Sequence, residues 1–283
     1  MNEAETRAEL IDPALREAGW GVVDGRRTRR EVIAPGGLWQ QDHLSAFRKM
    51  AGRVTIADPP AKLVPRLWAK ATGMGESLPA TRQTRASLLA LAANDAVSTA
   101  AVCWSILAWG GMHGRHRDAL HQQADYRWLR IAQEIRAGER TRRESYEVFA
   151  DLRREQSLSG MGPAYFTKLI FFLMPRQSVH PVGYIMDQWV ACSINLLAGR
   201  DIVLTDANFR WASVHKHRKL QSTFVVSDLN DGAAYEDYCC HIERLARELS
   251  QAPDATEWLM MSEGRGLGAW RRHVIEHRQP PHE

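Results

Sequence analysis

Between two helical patterns the chain carries Leu158-Ser159-Gly160-Met161-Gly162-Pro163, and this break constrains the fold more than any other feature. An apolar residue, then Gly-apolar-Gly, then a helix start calls for a tight hairpin between two helices. Glycine takes the positive φ that such a turn needs and lets another group approach the backbone closely. Pro163 suits the first turn of the next helix, where a missing N–H costs nothing. The free amides at that start, together with the helix dipole, favour an anion. The plainer reading is a glycine-rich turn between two core helices.

The text around the break is helical almost throughout. From Trp39 onward the apolar spacing predicts helices at about 40–50, 60–71, 84–109, 115–137, 142–154, 163–174, 184–198, 232–251, 254–262 and 267–277. Only Ile202–Leu204 and Phe224–Val226 read as short strands, and either suits a loop equally well. Pro59-Pro60, Gly73-Met74-Gly75, Trp109-Gly110-Gly111 and Asn230-Asp231-Gly232 punctuate the run. The expectation is an all-α domain over residues 38–283, preceded by a helical appendage at 1–37. That appendage has helical spacing from Ala4 to Ala18 and ends in the turn Pro35-Gly36-Gly37.

Composition excludes some classes. A net charge of +4 and a pI near 9.0 tolerate a polyanionic partner without demanding one. No stretch approaches the roughly 18 apolar residues of a membrane span, and Met1-Asn2-Glu3-Ala4-Glu5 has no signal-peptide character. Cys103, Cys192, Cys239 and Cys240 form no C-x-x-C pair and read as core thiols of a cytoplasmic protein. There is no phosphate-binding P-loop and no strand-bound G-x-G-x-x-G, so no cofactor is expected. The pairs His113/His116 and His215/His217 lack companion Cys or acid ligands, so no metal site is expected either.

After the second helix of the hairpin comes Gly183-Tyr184-Ile185-Met186-Asp187-Gln188-Trp189, with Asp187 at a helix start 25 positions beyond Gly162. An Asp there caps a helix well.

Hairpin and Asp together resemble the helix-hairpin-helix DNA glycosylase superfamily. More closely, Leu158–Phe172, Gly183–Leu197 and Trp104–Arg117 resemble bacterial proteins with the 8-oxoguanine DNA glycosylase fold. The resemblance covers about residues 39–277. It implies excision of a modified or damaged base from double-stranded DNA, in base-excision repair or antiphage defence, with Asp187 as the catalytic carboxylate. Bifunctional members carry a nucleophilic Lys two residues after the second hairpin glycine, and here that position is Ala164. The resemblance therefore implies a monofunctional enzyme with water as nucleophile. Lys168, one turn further along the same helix face, is the open question: nucleophile, phosphate contact or solvated Lys.

The hairpin residues Gly160, Met161 and Gly162 are the expected DNA-phosphate contacts, with Arg115 and Arg117 of the basic run His113–Arg117. A flipped base needs aromatic faces around it, and Trp109, Tyr165 and Trp189 are the candidates; Trp109 suits a core equally well, and most of the aromatics flanking the hairpin and Asp187 read as core. Arg140–Arg143 reads as a solvated face. Residues 1–35 resemble the opening of type I restriction-enzyme motor subunits, but no nuclease core follows, so nuclease activity is not implied. The rival to the enzyme is a non-catalytic helix-hairpin-helix DNA-binding module of a restriction or defence complex. Such a module needs the hairpin but not Asp187.

Overall fold

Residues 101–108 and 166–173 are buried on every side, and the other elements are arranged round these two stretches. The computed structural model describes residues 38–123, 125–214, 217–261 and 268–278, with the backbone alone at 208–214 and 217–223. The expected appendage at 1–37 lies outside the described residues.

In chain order the elements are α1 (Gln41–Ala51), α2 (Pro65–Trp68), α3 (Arg85–Ala92), α4 (Thr99–Trp109), α5 (Gly114–His121), α6 (Arg127–Arg136), α7 (Arg142–Arg154), α8 (Pro163–Leu173) and α9 (Gln188–Ala198). Strands β1 (Thr205–Val214) and β2 (His217–Val226) follow, then α10 (Gly232–Glu248), α11 (Pro253–Met260) and α12 (Ala269–His277). The fold is all-α, as its periodicity predicts. The two long helices expected at 84–109 and 115–137 are each broken once. Asn94 turns the chain by accepting from the Ala96 amide, and Ser98 then caps α4. The second break falls at Tyr126, which has φ 43°. The helix expected from 184 starts at Gln188, because residues 184–187 run extended into the Asp187 cap.

The strands are longer than expected. β1 and β2 form one antiparallel ladder from Thr205↔Val226 to Val214↔His217. Its sequence signal is the alternation of Ala207, Phe209 and Trp211 with Asp206, Asn208 and Arg210. Ile202–Leu204 is not a strand; Asn195 and Asn230 side chains hold its backbone amides instead.

Helix α8 sits against α3, α4, α6 and α7, which explains why its sequence shows almost no polar face. Phe166, Leu169, Ile170 and Phe171 are fully buried, each contributing about 1.5–3 kcal/mol relative to exposure. Helix α10 closes the core over α7 and α11, while α9 packs on α1, α11, α12 and the strands. All four cysteines are free thiols, three of them buried. Among the described residues no helix is long and apolar enough to cross a membrane.

Candidate active site

The hairpin presents its two glycines differently. Gly160 has φ +80°, and a Cβ there would run into the backbone carbonyl of His116 in α5, with the His116 Cα at 3.0 Å. Its lack of a side chain is thus required by packing of the hairpin on α5. Gly162 has ordinary extended backbone as the N-cap of α8, and a Cβ there would meet nothing within 4 Å. This is the glycine with open space beside it, at a helix start with no side-chain cap. Met161 is 0% exposed, so this expected DNA contact belongs to the core instead.

Asp187 ends an extended segment that is clamped at nearly every step. Arg142, 2% exposed, donates to the Val182 carbonyl while paired with Glu236 and Glu243. The hydroxyl of Tyr235 donates to the Tyr184 carbonyl at 2.8 Å, and that of Tyr238 to the Ile185 carbonyl at 2.6 Å. The Met186 amide donates to Thr167 Oγ1 at 3.1 Å, tying the segment to α8. Asp187 itself is half-buried, and its Oδ1 accepts from the Trp189 and Val190 amides at 2.8 and 3.1 Å. The capping reading is therefore correct as geometry, and it orients the carboxylate without consuming both oxygens in those bonds. Replacing Tyr238 by Phe leaves a buried carbonyl without its donor. We expect the unfolding free energy in urea to fall by about 1–3 kcal/mol; a loss below about 0.5 kcal/mol, the range of a surface change, would mean that this clamp contributes nothing.

Lys168, on the second turn of α8 and 6% exposed, is electrostatically coupled to this carboxylate. Its stem runs back along the helix, and its ammonium donates to the Ala164 carbonyl. The same ammonium lies 5.4 Å from the Tyr165 ring centre. Gly110, just after α4, gives the stem its room, since a Cβ there would sit 2.9 Å from Lys168 Cδ. Burial holds the Lys168 amine below the usual lysine range, against the opposing pull of the Asp187 and Glu257 charges and with added repulsion from Arg85. A desolvated amine beside a carboxylate is equipped either for nucleophilic attack or for holding an anion.

A family model described as "Putative 8-oxoguanine DNA glycosylase OGG-like protein" matches residues 54–261, well over half of the chain. The chain belongs to this OGG-like family. No curated protein and no solved structure matches it. The matched span of this OGG-like chain takes in the hairpin, Lys168, Asp187 and Glu257, and leaves out α1 and α12.

Other expected residues divide between this site and elsewhere. Tyr165 lies at the Lys168 ammonium. Trp109 borders the site through the adjoining Gly110, packs edge-on to Phe172 at 5.1 Å and stacks on Trp258 at 6.4 Å. Trp189 turns toward α12, with the Arg271 guanidinium 4.2 Å from its ring centre. Burial lowers the Arg271 pKa while the Asp187 charge raises it, so this cation is electrostatically coupled to the same carboxylate. Arg115 is exposed at the start of α5, next to the hairpin-facing His116. Arg117 is committed within the fold: it is paired with Asp118 and donates to the Trp68 carbonyl, so it is poorly available to DNA. Arg142 of the basic run is likewise an interior residue rather than part of a solvated face.

A cavity of about 630 Å³ lies further along α9, lined by residues that include Gln40, His43, Asn195, Arg200, Phe224 and Arg278. Asp187, Lys168, Tyr165 and Trp109 are not among its walls, so it is a separate space from the carboxylate site. Sequence reasoning missed Arg85, Glu257 and Arg271. The available signal was Glu257 in the otherwise apolar run Trp258-Leu259-Met260 of a predicted helix, where a solvated charge is out of place.

Proposed function

We propose that this protein is a DNA glycosylase that flips a modified or damaged base out of double-stranded DNA and cleaves its N-glycosidic bond, in base-excision repair or antiphage defence. The observation that carries this is Asp187 held rigidly at a helix start beside a buried amine, within a chain of the OGG-like family. As the base departs, positive charge develops on the sugar, and a fixed carboxylate in a partly desolvated site stabilises it. Gly162, the amides opening α8 and the exposed Arg115 suit DNA phosphates, which position the duplex without reading its sequence. Tyr165 and Trp109 are the aromatic groups nearest the amine and suit a flipped base.

The nucleophile is Lys168 in this reading. Ala164 occupies the position where the resemblance implies a lysine, and the Lys168 ammonium reaches back to the Ala164 carbonyl. In its neutral form, which burial favours, the amine attacks the sugar C1′ while the C1′–N bond to the base breaks. The C1′–O4′ bond then opens to leave a Schiff base, from which the 3′ phosphate is eliminated, cutting the strand. Borohydride treatment during reaction with duplexes bearing 8-oxoguanine, and with a panel of other modified bases, tests both steps. We expect a trapped protein–DNA adduct with the wild type and none with Lys168→Ala. Base release that leaves an intact abasic site and no adduct would make water the nucleophile. DNA binding with no base release from any duplex would make the chain a binding module.

A further inference from the structure

The β1–β2 ribbon takes no part in the chemistry above, yet it is rooted beside the site. At the root Thr205 pairs with Val226 and Ala207 with Phe224, and both Val226 and Phe224 are buried. The Gln188 side chain, next to Asp187, accepts from Trp189 Nε1 at 3.0 Å and donates to the Phe224 carbonyl. The Arg278 guanidinium lies 4.1 Å from the Phe224 ring centre. The ladder then continues through seven more pairs, from Asn208↔Thr223 to Val214↔His217. At 3.2–3.4 Å per residue that is a run of about 23 Å. No third strand joins it among the described residues. A two-stranded ribbon alone is marginal in water, so this one calls for a partner.

The register shows which partner suits it. Directly paired residues share a face of the sheet. One face holds Ala207, Phe209, Trp211, Leu220 and Phe224, and the buried Phe224 marks it as the face packed at the root. The opposite face begins at the exposed Asp206 and Val225 and continues through Asn208, Arg210, Lys219 and Gln221. Between Ala207 and Phe224 the sequence carries Arg210, Lys216, Arg218 and Lys219 and no Asp or Glu. That charge equals the +4 of the whole chain, so all other residues together balance to zero. The net charge of the protein is concentrated on one ribbon. Like charges at this density repel a second copy of the ribbon and favour a polyanion.

We propose that the β1–β2 ribbon is a second DNA-binding element, in addition to the hairpin at Gly162, with Arg210 and Lys219 of its polar face supplying phosphate contacts to duplex DNA. The inference rests on the reading of the protein as DNA-directed. The major groove admits a two-stranded antiparallel ribbon, and Arg, Lys, Asn and Gln are residue types that bond to phosphates and base edges. The root at Gln188 and Phe224 ties this element to the helix start that holds Asp187.

The test is binding of the full chain to an unmodified duplex across a salt series. In the double variant Arg210→Gln, Lys219→Gln, the slope of log affinity against log salt should fall by about 1.8, since each lost phosphate contact removes about 0.9. Affinity at about 0.1 M salt should drop about tenfold or more. A shortened chain with Asn-Gly in place of residues 208–223 keeps the root pair Ala207↔Phe224 and closes a two-residue hairpin. It should show the same loss or a larger one. Circular dichroism checks that each variant is folded. A folded shortened chain that binds as the wild type does overturns the inference, whatever the double variant does. So does a wild type that is dimeric without DNA and becomes monomeric on shortening with its DNA affinity intact, because the occupant is then a second copy. Base release is followed in parallel. Ribbon-dependent binding without base release from any duplex supports the ribbon while removing the glycosylase reading. Base release with unchanged binding by the variants overturns the ribbon alone.

Discussion

Replacing Asp187 by Asn should slow base release by about a hundredfold or more while leaving the fold and DNA affinity nearly unchanged. The magnitude follows from removing one preorganised electrostatic group aimed at a developing charge. The choice of Asn follows from the structure. Asp187 caps α9 through bonds to the Trp189 and Val190 amides, and an Asn oxygen can accept both. Alanine would confound the experiment, because losing an N-cap costs about 0.5–2 kcal/mol by itself. Single-turnover release from a duplex that the wild type cuts, beside a binding isotherm on the same duplex, separates the two effects. Retention of more than about a tenth of the wild-type rate would leave Asp187 as a cap and nothing more, because the electrostatic role requires the larger loss.

Gly160→Ala and Gly162→Ala should fail in opposite ways, although the two glycines are neighbours in one motif. At Gly160 the new methyl meets the His116 backbone, and the φ of +80° is strained for any L side chain. Holding a non-glycine residue there costs about 1–3 kcal/mol, and overpacking adds about 1–3 kcal/mol more. We expect Gly160→Ala to lose several degrees in Tm and to detach the hairpin from α5. At Gly162 the backbone is extended and the space is empty, so Gly162→Ala should fold normally. Its methyl occupies the space through which a DNA strand would approach the α8 amides. The expected result is weaker binding to modified and plain duplexes alike, because a phosphate contact carries no base information. Normal affinity in a folded Gly162→Ala protein would remove the hairpin from the DNA interface.

The sequence by itself determined the helical class, the glycine turn before Pro163 and a helix opening near Asp187, though its spacing put that start at 184. These are local properties. Apolar spacing marks a buried helix face, Gly-x-Gly-Pro marks a turn into a helix, and an Asp before an apolar helix marks its cap. The breaks at Asn94 and Tyr126 were harder to read, since the apolar spacing continues through both. Only the Phe224–Val226 end of the β1–β2 ladder was legible, for a related reason: Ala207, Phe209 and Trp211 alternate with polar residues, but a single such run is a weak signal beside so many helices.

What only the tertiary structure decided is which charges share the interior. The Lys168 stem, lying along its helix beside Gly110, brings its ammonium back one turn to the Ala164 carbonyl. Arg117 and Arg142 sit in equally basic runs, and their commitment to Asp118 and Trp68, or to Glu236, Glu243 and Val182, depends on partners up to 101 positions away in the chain. Glu257 meets Arg85 across 172 positions. A charge is read from sequence as solvated because burying it alone is prohibitive. It becomes tolerable inside only when folding delivers an opposite charge from a distant segment, and no local pattern records that encounter.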